Sequence, residues 1–480
     1  LGSAVESTTG SDTGPLADLL ETRHAALRPL FGLSEGHMKE RIGSAGVALE
    51  AAGPVPTDDA PVPDLSLYYR VVTDEDRLDE LAADLRADDL VETAYIKPAG
   101  EPPALLERPR TLNDMQPDVQ APPPTTPDFR SHQTYLDTAP AGVDAWLAWT
   151  IPGGGGQGIS VIDCEWGWRF THEDLSVGQH GVVAGTSSAH TDHGTAVIGV
   201  VGGDRNAYGI TGIAPEATVG ASSFADQSTG QAIRAAADRL AAGDIILLEI
   251  HRPGPNSPVP PNGQFGFIAV EWWPDDFAAI RYAVAKGIVV VEAAGNGAQN
   301  LDDAVYSVRP TGFPTGWTNP FDLGNPQSGA VLVGAGAPPP DTHGADHGPD
   351  RSRLGFSNYG SRVDAQGWGR EVTSTGYGDL QGGWIQDRWY TDRFSGTSSA
   401  SPVVTGALAC LQGMLRARGH HPLTSSKARQ LLRSTGSPQT DAPGRPASQR
   451  IGNRPDIRQM VAAAGIGSRA AEGDQYCNGA

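Results

Sequence analysis

The chain has 480 residues, enough for one large domain plus a smaller one, each with its own core. Its formal charge of −21 argues against nucleic-acid or anionic-membrane partners and for a soluble protein. No stretch is apolar for the roughly 18 residues a membrane span needs, and three cysteines (Cys164, Cys410, Cys477) fit neither a zinc pattern nor a disulfide framework.

The chain begins Leu1-Gly2 and shows neither the n-region nor the h-region of a signal peptide. Residues 1–14 are rich in Ser, Thr and Gly and read as a disordered N-terminus. A helix is predicted over Pro15–Leu27, a Pro-rich loop over 52–63, and a strand over Leu67–Val72. The segment Asp76–Leu90 reads as an amphipathic helix with Leu78, Leu81, Ala82 and Leu85 on one face. Leu90–Ile96 reads as a further strand. Together these make a small α+β unit over 15–99, and the acidic residues of 74–92 are its solvated face. The Pro-rich stretch 100–127, ending Pro122-Pro123-Pro124-Thr125-Thr126-Pro127, is an extended linker and the clearest boundary.

Beyond it, over 128–465, the pattern alternates between strand and helix, before a C-terminal tail at 466–480. Gly158–Ile162, Ile245–Leu248, Ile288–Val291 and Ala330–Val333 are continuous apolar runs. Helical stretches at His193–Val201, Ala232–Ala241 and Phe277–Ala285 fall between them. Apolar strands separated by helices imply an α/β fold, a parallel sheet covered on both faces. Ligands of such sheets bind beyond the carboxyl ends of the strands, where Asp163 and the turn Ala293–Gly297 lie.

The segment Phe394–Pro402 (FSGTSSASP) reads as a nucleophile at the mouth of a helix. Apolar residues from Val403 to Leu415 recur at helical spacing, Gly419 supplies a stop, and Pro402 suits a first turn. Ser398 would then sit just before the helix, where free N–H groups favour developing negative charge. A serine needs a base, and His193 in Asp192-His193-Gly194-Thr195 has a suitable pKa. Gly194, Ala196 and Gly199 keep that helix slim enough to pack close to the Ser398 helix. A buried carboxylate, Asp163, would hold the imidazole tautomer, and the Asn296 amide would stabilise an oxyanion.

Four motifs in one order carry a family resemblance. Val161-Ile162-Asp163, His193-Gly194-Thr195, Ala294-Gly295-Asn296 and Gly396-Thr397-Ser398-Ser399-Ala400-Ser401-Pro402 resemble the aspartate, histidine, oxyanion and serine motifs of subtilisin-like serine proteases, with Ser399 where Met is usual. Gly212–Pro215 and Phe356–Gly360 also match family segments, so the likeness runs from about 130 to 460. It implies a serine endopeptidase acting on peptide or protein substrates, with Ser398 as nucleophile, His193 as base, Asp163 as its orienter and Asn296 in the oxyanion hole. Residues 64–97 resemble the second half of a subtilase propeptide, a ferredoxin-like α+β domain that aids folding and blocks the cleft. That implies a segment after Tyr95 lying in the cleft, and cleavage within 98–130.

The departures from the family matter as much. Glu249-Ile250-His251 stands where Ser-Leu-Gly is usual beside the first specificity pocket. These three residues, with Ala294 and Gly295, are the substrate-binding candidates. Glu249 is either a paired structural carboxylate or a selector of basic side chains. Trp272 and Trp273 either cap the core or wall the cleft. His343 and His347 read as solvated loop residues with a metal as the alternative, Cys164 as structural with site-sensing as the alternative. The chemistry needs no cofactor; Asp174 and Asp192 are candidates for the calcium that subtilases often use. A catalytically silent binding protein with the same shell is the reading from another class.

Overall fold

The computed structural model describes residues 11–51, 63–104 and 125–466. The predicted disordered residues 1–10, the loop 52–62, the Pro-rich stretch 105–124, Cys477 and the C-terminal tail lie outside them.

The N-terminal unit contains α1 (Gly14–Thr22), β1 (Ala26–Pro29), α2 (Glu35–Ala51), β2 (Tyr69–Val72) and α3 (Leu78–Arg86). β1 and β2 pair antiparallel, and Leu16, Leu20, Leu81 and Leu85 pack together against them. The acidic face of α3 is turned outward: Asp79 and Glu80 are exposed. Two expectations need correction. The first helix stops at Thr22, because Ala26–Pro29 is drawn into the ladder with β2. Leu90–Ile96 is not a strand: it joins no ladder, and two of its hydroxyls reach another part of the molecule. The Thr93 hydroxyl donates to the Gly312 carbonyl, and the Tyr95 hydroxyl donates to Asp275 at 2.7 Å.

The larger unit is built on α4 (Ala145–Ala148), β3 (Ser160–Glu165), β4 (Gln179–Ala184), α5 (Asp192–Gly202), β5 (Thr218–Ser223), α6 (Thr229–Arg239) and β6 (Ile245–Leu248). It continues through β7 (His251–Pro253), β8 (Phe267–Ala269), α7 (Pro274–Ala285), β9 (Val289–Ala293), β10 (Val331–Gly336) and β11 (Ala365–Trp368). β12 (Val372–Thr375), β13 (Tyr390–Phe394), α8 (Thr397–Ala417), α9 (Ser425–Ser434) and α10 (Ile457–Ala463) complete it. Seven strands form one parallel sheet in the order β11-β10-β9-β6-β3-β5-β4. The order reverses at β3, where chain-order neighbours diverge and a crevice opens at the carboxyl ends.

The sequence explains the burial. β6 and β9 are apolar on both faces because both faces are covered. Val161, Leu247, Val291 and Val333 face the cluster that includes α5 and α8. Ile162, Cys164, Ile246, Leu248 and Val290 face the cluster with α6 and α7. Strand alternation therefore puts Cys164 on the second face and Asp163 and Glu165 on the first.

The N-terminal unit leans on α6 and α7. Phe31, Met38 and Leu65 join the cluster beneath those helices. Ser228 caps α6 by accepting the Gln231 N–H at 3.1 Å and also donates to the Leu30 carbonyl at 2.5 Å. Gly230 lets Phe31 approach; a Cβ there would lie 2.6 Å from its ring. Asp275 and Asp276, in the first turn of α7, favour the helix dipole and both bind the Lys97 ammonium.

Several local expectations resolve differently. Pro402 lies in the second turn of α8, not the first, since that helix already starts at Thr397. Pro402 leaves the Ser398 carbonyl without its usual N–H donor, while Ser401 Oγ donates to Thr397 O at 2.8 Å and Ser399 Oγ to Gly396 O at 3.0 Å. Gly194 and Gly199 do not thin α5 toward α8. Gly194 gives room to Trp168 and Gly199 to Ser374 and Thr375. Trp272 and Trp273 are buried in a cluster with Phe313 and Phe321, so they belong to the core. Residues 253–266 connect β7 to β8 as an antiparallel hairpin.

Candidate active site

Gly396 precedes α8 at φ +121°, a conformation that favours glycine, and as the N-cap it has no side chain of its own to hold the first N–H groups. The Thr397 N–H and hydroxyl both donate to Asn296 Oδ1, each at 2.9 Å. With Oδ1 occupied by donors, the Asn296 amide can only present its Nδ2–H to the cleft. That nitrogen donates to the Pro103 carbonyl at 2.6 Å.

The same carbonyl receives Ser398. Its hydroxyl donates to Pro103 O at 2.9 Å, and its backbone N–H lies 3.4 Å from that oxygen. A hydroxyl, an amide and a helix N-terminal N–H thus converge on one oxygen of the chain itself. Two short antiparallel bridges hold the segment around it, Glu101 to His251 and Ala104 to Gly396. A Cβ on Gly396 would lie 2.2 Å from Pro103 O, so this approach depends on glycine.

His193 is set by the first turn of α5 and is buried, with its ring 5.5 Å from that of Phe394. Burial lowers its pKa to about 4, against the raising effect of Asp163, so the ring is neutral near pH 7. Its Nδ1 lies 2.8 Å from Glu165 Oε2. Its Nε2 has no hydrogen-bond partner among the described residues, and the Ser398 hydroxyl donates to Pro103 O.

Here the expected role of Asp163 needs correction. Asp163 Oδ2 accepts from the Trp168 indole at 2.7 Å, and the carboxylate on the imidazole is that of Glu165. Both residues point to the same face of β3, and the longer side chain nearer the carboxyl end takes the ring. Sequence reasoning missed Glu165, although its spacing of two from Asp163 was the available signal. Burial raises the pKa of both carboxyls, and the charge of Glu165 raises Asp163 further. Asp163 Oδ1 and Glu165 Oε1 have no hydrogen-bond partner among the described residues.

Glu249 is fully buried and accepts the Ser401 hydroxyl at 2.5 Å. Burial holds it well above the usual carboxylate range, with Asp163 adding to the effect. Turned inward on α8, it presents no charge to the cleft, which removes the reading of a selector for basic side chains. Ile250 lies against Gly100, where a Cβ would be 2.6 Å from its Cδ1. His251 Nδ1 accepts the Asn296 N–H at 3.2 Å. Ala294 and Gly295 serve the turn: Asn358 Nδ2 donates to Ala294 O at 2.7 Å, and the Asn358 N–H donates to Gly295 O at 3.0 Å. Asn358 is thus a support for the oxyanion turn.

The other candidates lie elsewhere. Asp174 is engaged by protein donors, Asn206 Nδ2 at 2.6 Å, the Ile210 N–H at 2.7 Å and the Tyr390 hydroxyl at 2.9 Å. Asp192 is in the first turn of α5. His343 and His347 are not solvated loop residues: both are drawn to Glu371, His347 Nε2 at 2.7 Å. Among the described residues no group of three or more His, Cys, Asp or Glu is arranged to hold a metal. Cys164 is buried on the face of β3 away from His193, and Cys410 donates to Ile213 O at 3.2 Å. No helix among the described residues is long and apolar enough to cross a membrane.

Comparison with known proteins bears on this geometry. The model of the subtilase family matches residues 176–453, more than half of the chain, a stretch containing His193, Asn296 and Ser398. An extracellular serine proteinase of Thermus sp. (strain Rt41A) is 32% identical over 131 residues, 27% of this chain and 23% of that relative. The match thus spans less than a quarter of that relative's length. Among solved structures, a protease of Pseudoalteromonas arctica PAMC 21717 is similar over 71% of this chain and 100% of that chain, at 21% identity and a TM-score of 0.48. Fervidolysin from Fervidobacterium pennivorans, a keratinolytic enzyme related to subtilisin, is similar over 75% of this chain and 50% of that chain, at 21% identity and a TM-score of 0.46.

Proposed function

This chain belongs to the subtilase family, and from that membership we propose that it is a serine endopeptidase whose first substrate is its own Pro103–Ala104 bond. The observation that carries the reading is the Pro103 carbonyl, which accepts from both Asn296 Nδ2 and Ser398 Oγ.

Ser398 Oγ attacks the carbonyl carbon. His193 Nε2 takes its proton, which requires the hydroxyl to turn from the Pro103 oxygen to the ring. Glu165 accepts the Nδ1–H, fixes the tautomer and stabilises the imidazolium. The oxyanion is held by Asn296 Nδ2 and the Ser398 N–H at the α8 N-terminus. The C–N bond breaks and His193 returns its proton to the Ala104 nitrogen. Water, deprotonated by the same histidine, then releases the acyl group from Ser398.

In this reading the N-terminal unit is a folding aid and cleft inhibitor. Its support is the docking of Phe31 and Met38 under α6 and α7, the Lys97 bonds to Asp275 and Asp276, and the strand-like seating of Glu101 beside His251.

The test is expression of the full chain beside Ser398→Ala, followed by intact mass and N-terminal sequencing. The wild type is expected to yield a new terminus at Ala104, and a fluorophosphonate probe then labels Ser398. Ser398→Ala stays uncut. A wild-type chain that is neither cut nor labelled would dispose of the proposal in favour of a silent binding protein.

A further inference from the structure

Glu101 and His251 exchange both backbone hydrogen bonds, each at 3.1 Å. Directly opposed residues of an antiparallel pair project their side chains to the same side. The His251 ring is completely buried, with Phe267 4.8 Å away between ring centres. Because its Nδ1 accepts from the Asn296 N–H, its proton sits on Nε2. That donor has no hydrogen-bond partner among the described residues and lies 3.7 Å from Glu101 Oε1. The same carboxylate oxygen accepts from Gln264 Nε2 at 2.8 Å. Gln264 Nε2 also reaches Pro102 O at 3.1 Å, while its Oε1 accepts from Asn296 Nδ2 at 2.9 Å.

We propose that His251 and Gln264 form a subsite that selects an acidic side chain two residues before the residue whose carbonyl is attacked. The inference rests on the proposed peptidase reading and names its substrate class: proteins with Glu or Asp at that position. Glycine, usual at position 251 in the family the chain resembles, has no side chain to offer there. Histidine fills the space and leaves one buried N–H facing the substrate, a group that is costly to leave unsatisfied. A carboxylate brings a negative oxygen to within 3.7 Å of it; a lysine or an apolar side chain brings none.

The subsite is also wired to the chemistry. His251 and Gln264 each bond Asn296, one at its N–H and one at its Nδ2. A substrate carboxylate that holds Gln264 therefore also steadies the amide that receives the oxyanion. The acidic preference should appear in kcat as well as in KM.

The experiment uses the processed wild-type enzyme and three peptides that share the sequence around Gly100–Ala104 and carry Glu, Gln or Lys at the position of Glu101. The Glu peptide is expected to be cleaved with kcat/KM about 10-fold above the Gln peptide, as for a half-exposed charge-assisted bond, with Lys lowest. In Gln264→Ala the Glu-to-Gln ratio falls toward one. In the full chain, Glu101→Gln lengthens the half-time of self-cleavage, a readout that needs no change in the cleft. Equal rates on the three peptides, with Ser398 still labelled by fluorophosphonate, would overturn the subsite and leave the peptidase reading intact. Absence of both labelling and cleavage would overturn both.

Discussion

Glu165 Oε2 lies 2.8 Å from His193 Nδ1, while Asp163, two residues earlier on the same strand, is bound to the Trp168 indole. The histidine is thus held by a glutamate, while the aspartate on the same face is held by an indole. This division of labour can be measured. Glu165→Gln is expected to lower kcat by roughly 10⁴, the size of effect seen when a triad carboxylate is neutralised and the tautomer is lost. Asp163→Asn leaves the Glu165–His193 contact in place and is expected to cost far less. The reverse ranking would return the orienting role to Asp163.

A second prediction concerns pH. The neutral imidazole is the base, so activity falls as pH drops through the His193 pKa. In the intact chain, with the Pro103 segment on Ser398, burial sets that value at about 4. Removing the segment admits water, and the value should rise toward the ordinary 6.5 or so. Self-cleavage of the full chain should therefore persist at pH 5, where cleavage of added peptides is already reduced. Coincident acid limbs in the two pH–rate profiles would contradict this.

The N-terminal unit has a charged anchor that is open to test. Lys97 bonds both Asp275 and Asp276, and Tyr95 shares Asp275. Burial raises both aspartates, but the charge and bond of Lys97, with the Tyr95 bond and the Arg252 charge, together outweigh it for Asp275, whose pKa is lowered; Asp276, beside the Asp275 charge, stays raised. Truncating the lysine leaves two acids side by side at a covered surface. Lys97→Ala should weaken retention of the cut segment by about 2–5 kcal/mol. Peptidase activity would then appear earlier after self-cleavage, by a factor of about 30 or more. An unchanged lag would assign the retention to the apolar contacts of Phe31 and Met38 instead.

Glu371 provides a stability prediction away from the chemistry. Burial pushes its pKa up, but bonds from His343 and His347 outweigh that and hold it at about 2. A carboxylate lowered in the folded state stabilises above its unfolded pKa, here near 4.5, and that stabilisation is lost as pH falls toward 2. Glu371→Gln should lower the thermal midpoint at pH 6 and flatten its fall between pH 5 and 2. A parallel curve for variant and wild type would show that the pair contributes nothing.

The sequence by itself determined the parallel sheet, because continuous apolar strands such as Ile245–Leu248 and Val289–Val291 are stable only when covered on both faces. It also determined that Ser398, Asn296 and His193 fall at element ends, since their glycine-rich flanks mark the turns. The pairing of Asp163 or Glu165 with His193 was beyond it: alternation along a strand sends both to one face, and side-chain length and the Trp168 indole make the choice. Glu249 and His251 likewise share a face in pattern, yet one turns under α8 to Ser401 and the other meets Asn296. The strand expected at Leu90–Ile96 failed for a related reason. Its Thr93 and Tyr95 hydroxyls bond residues 219 and 180 positions away, and a local pattern carries no record of partners that distant in the chain.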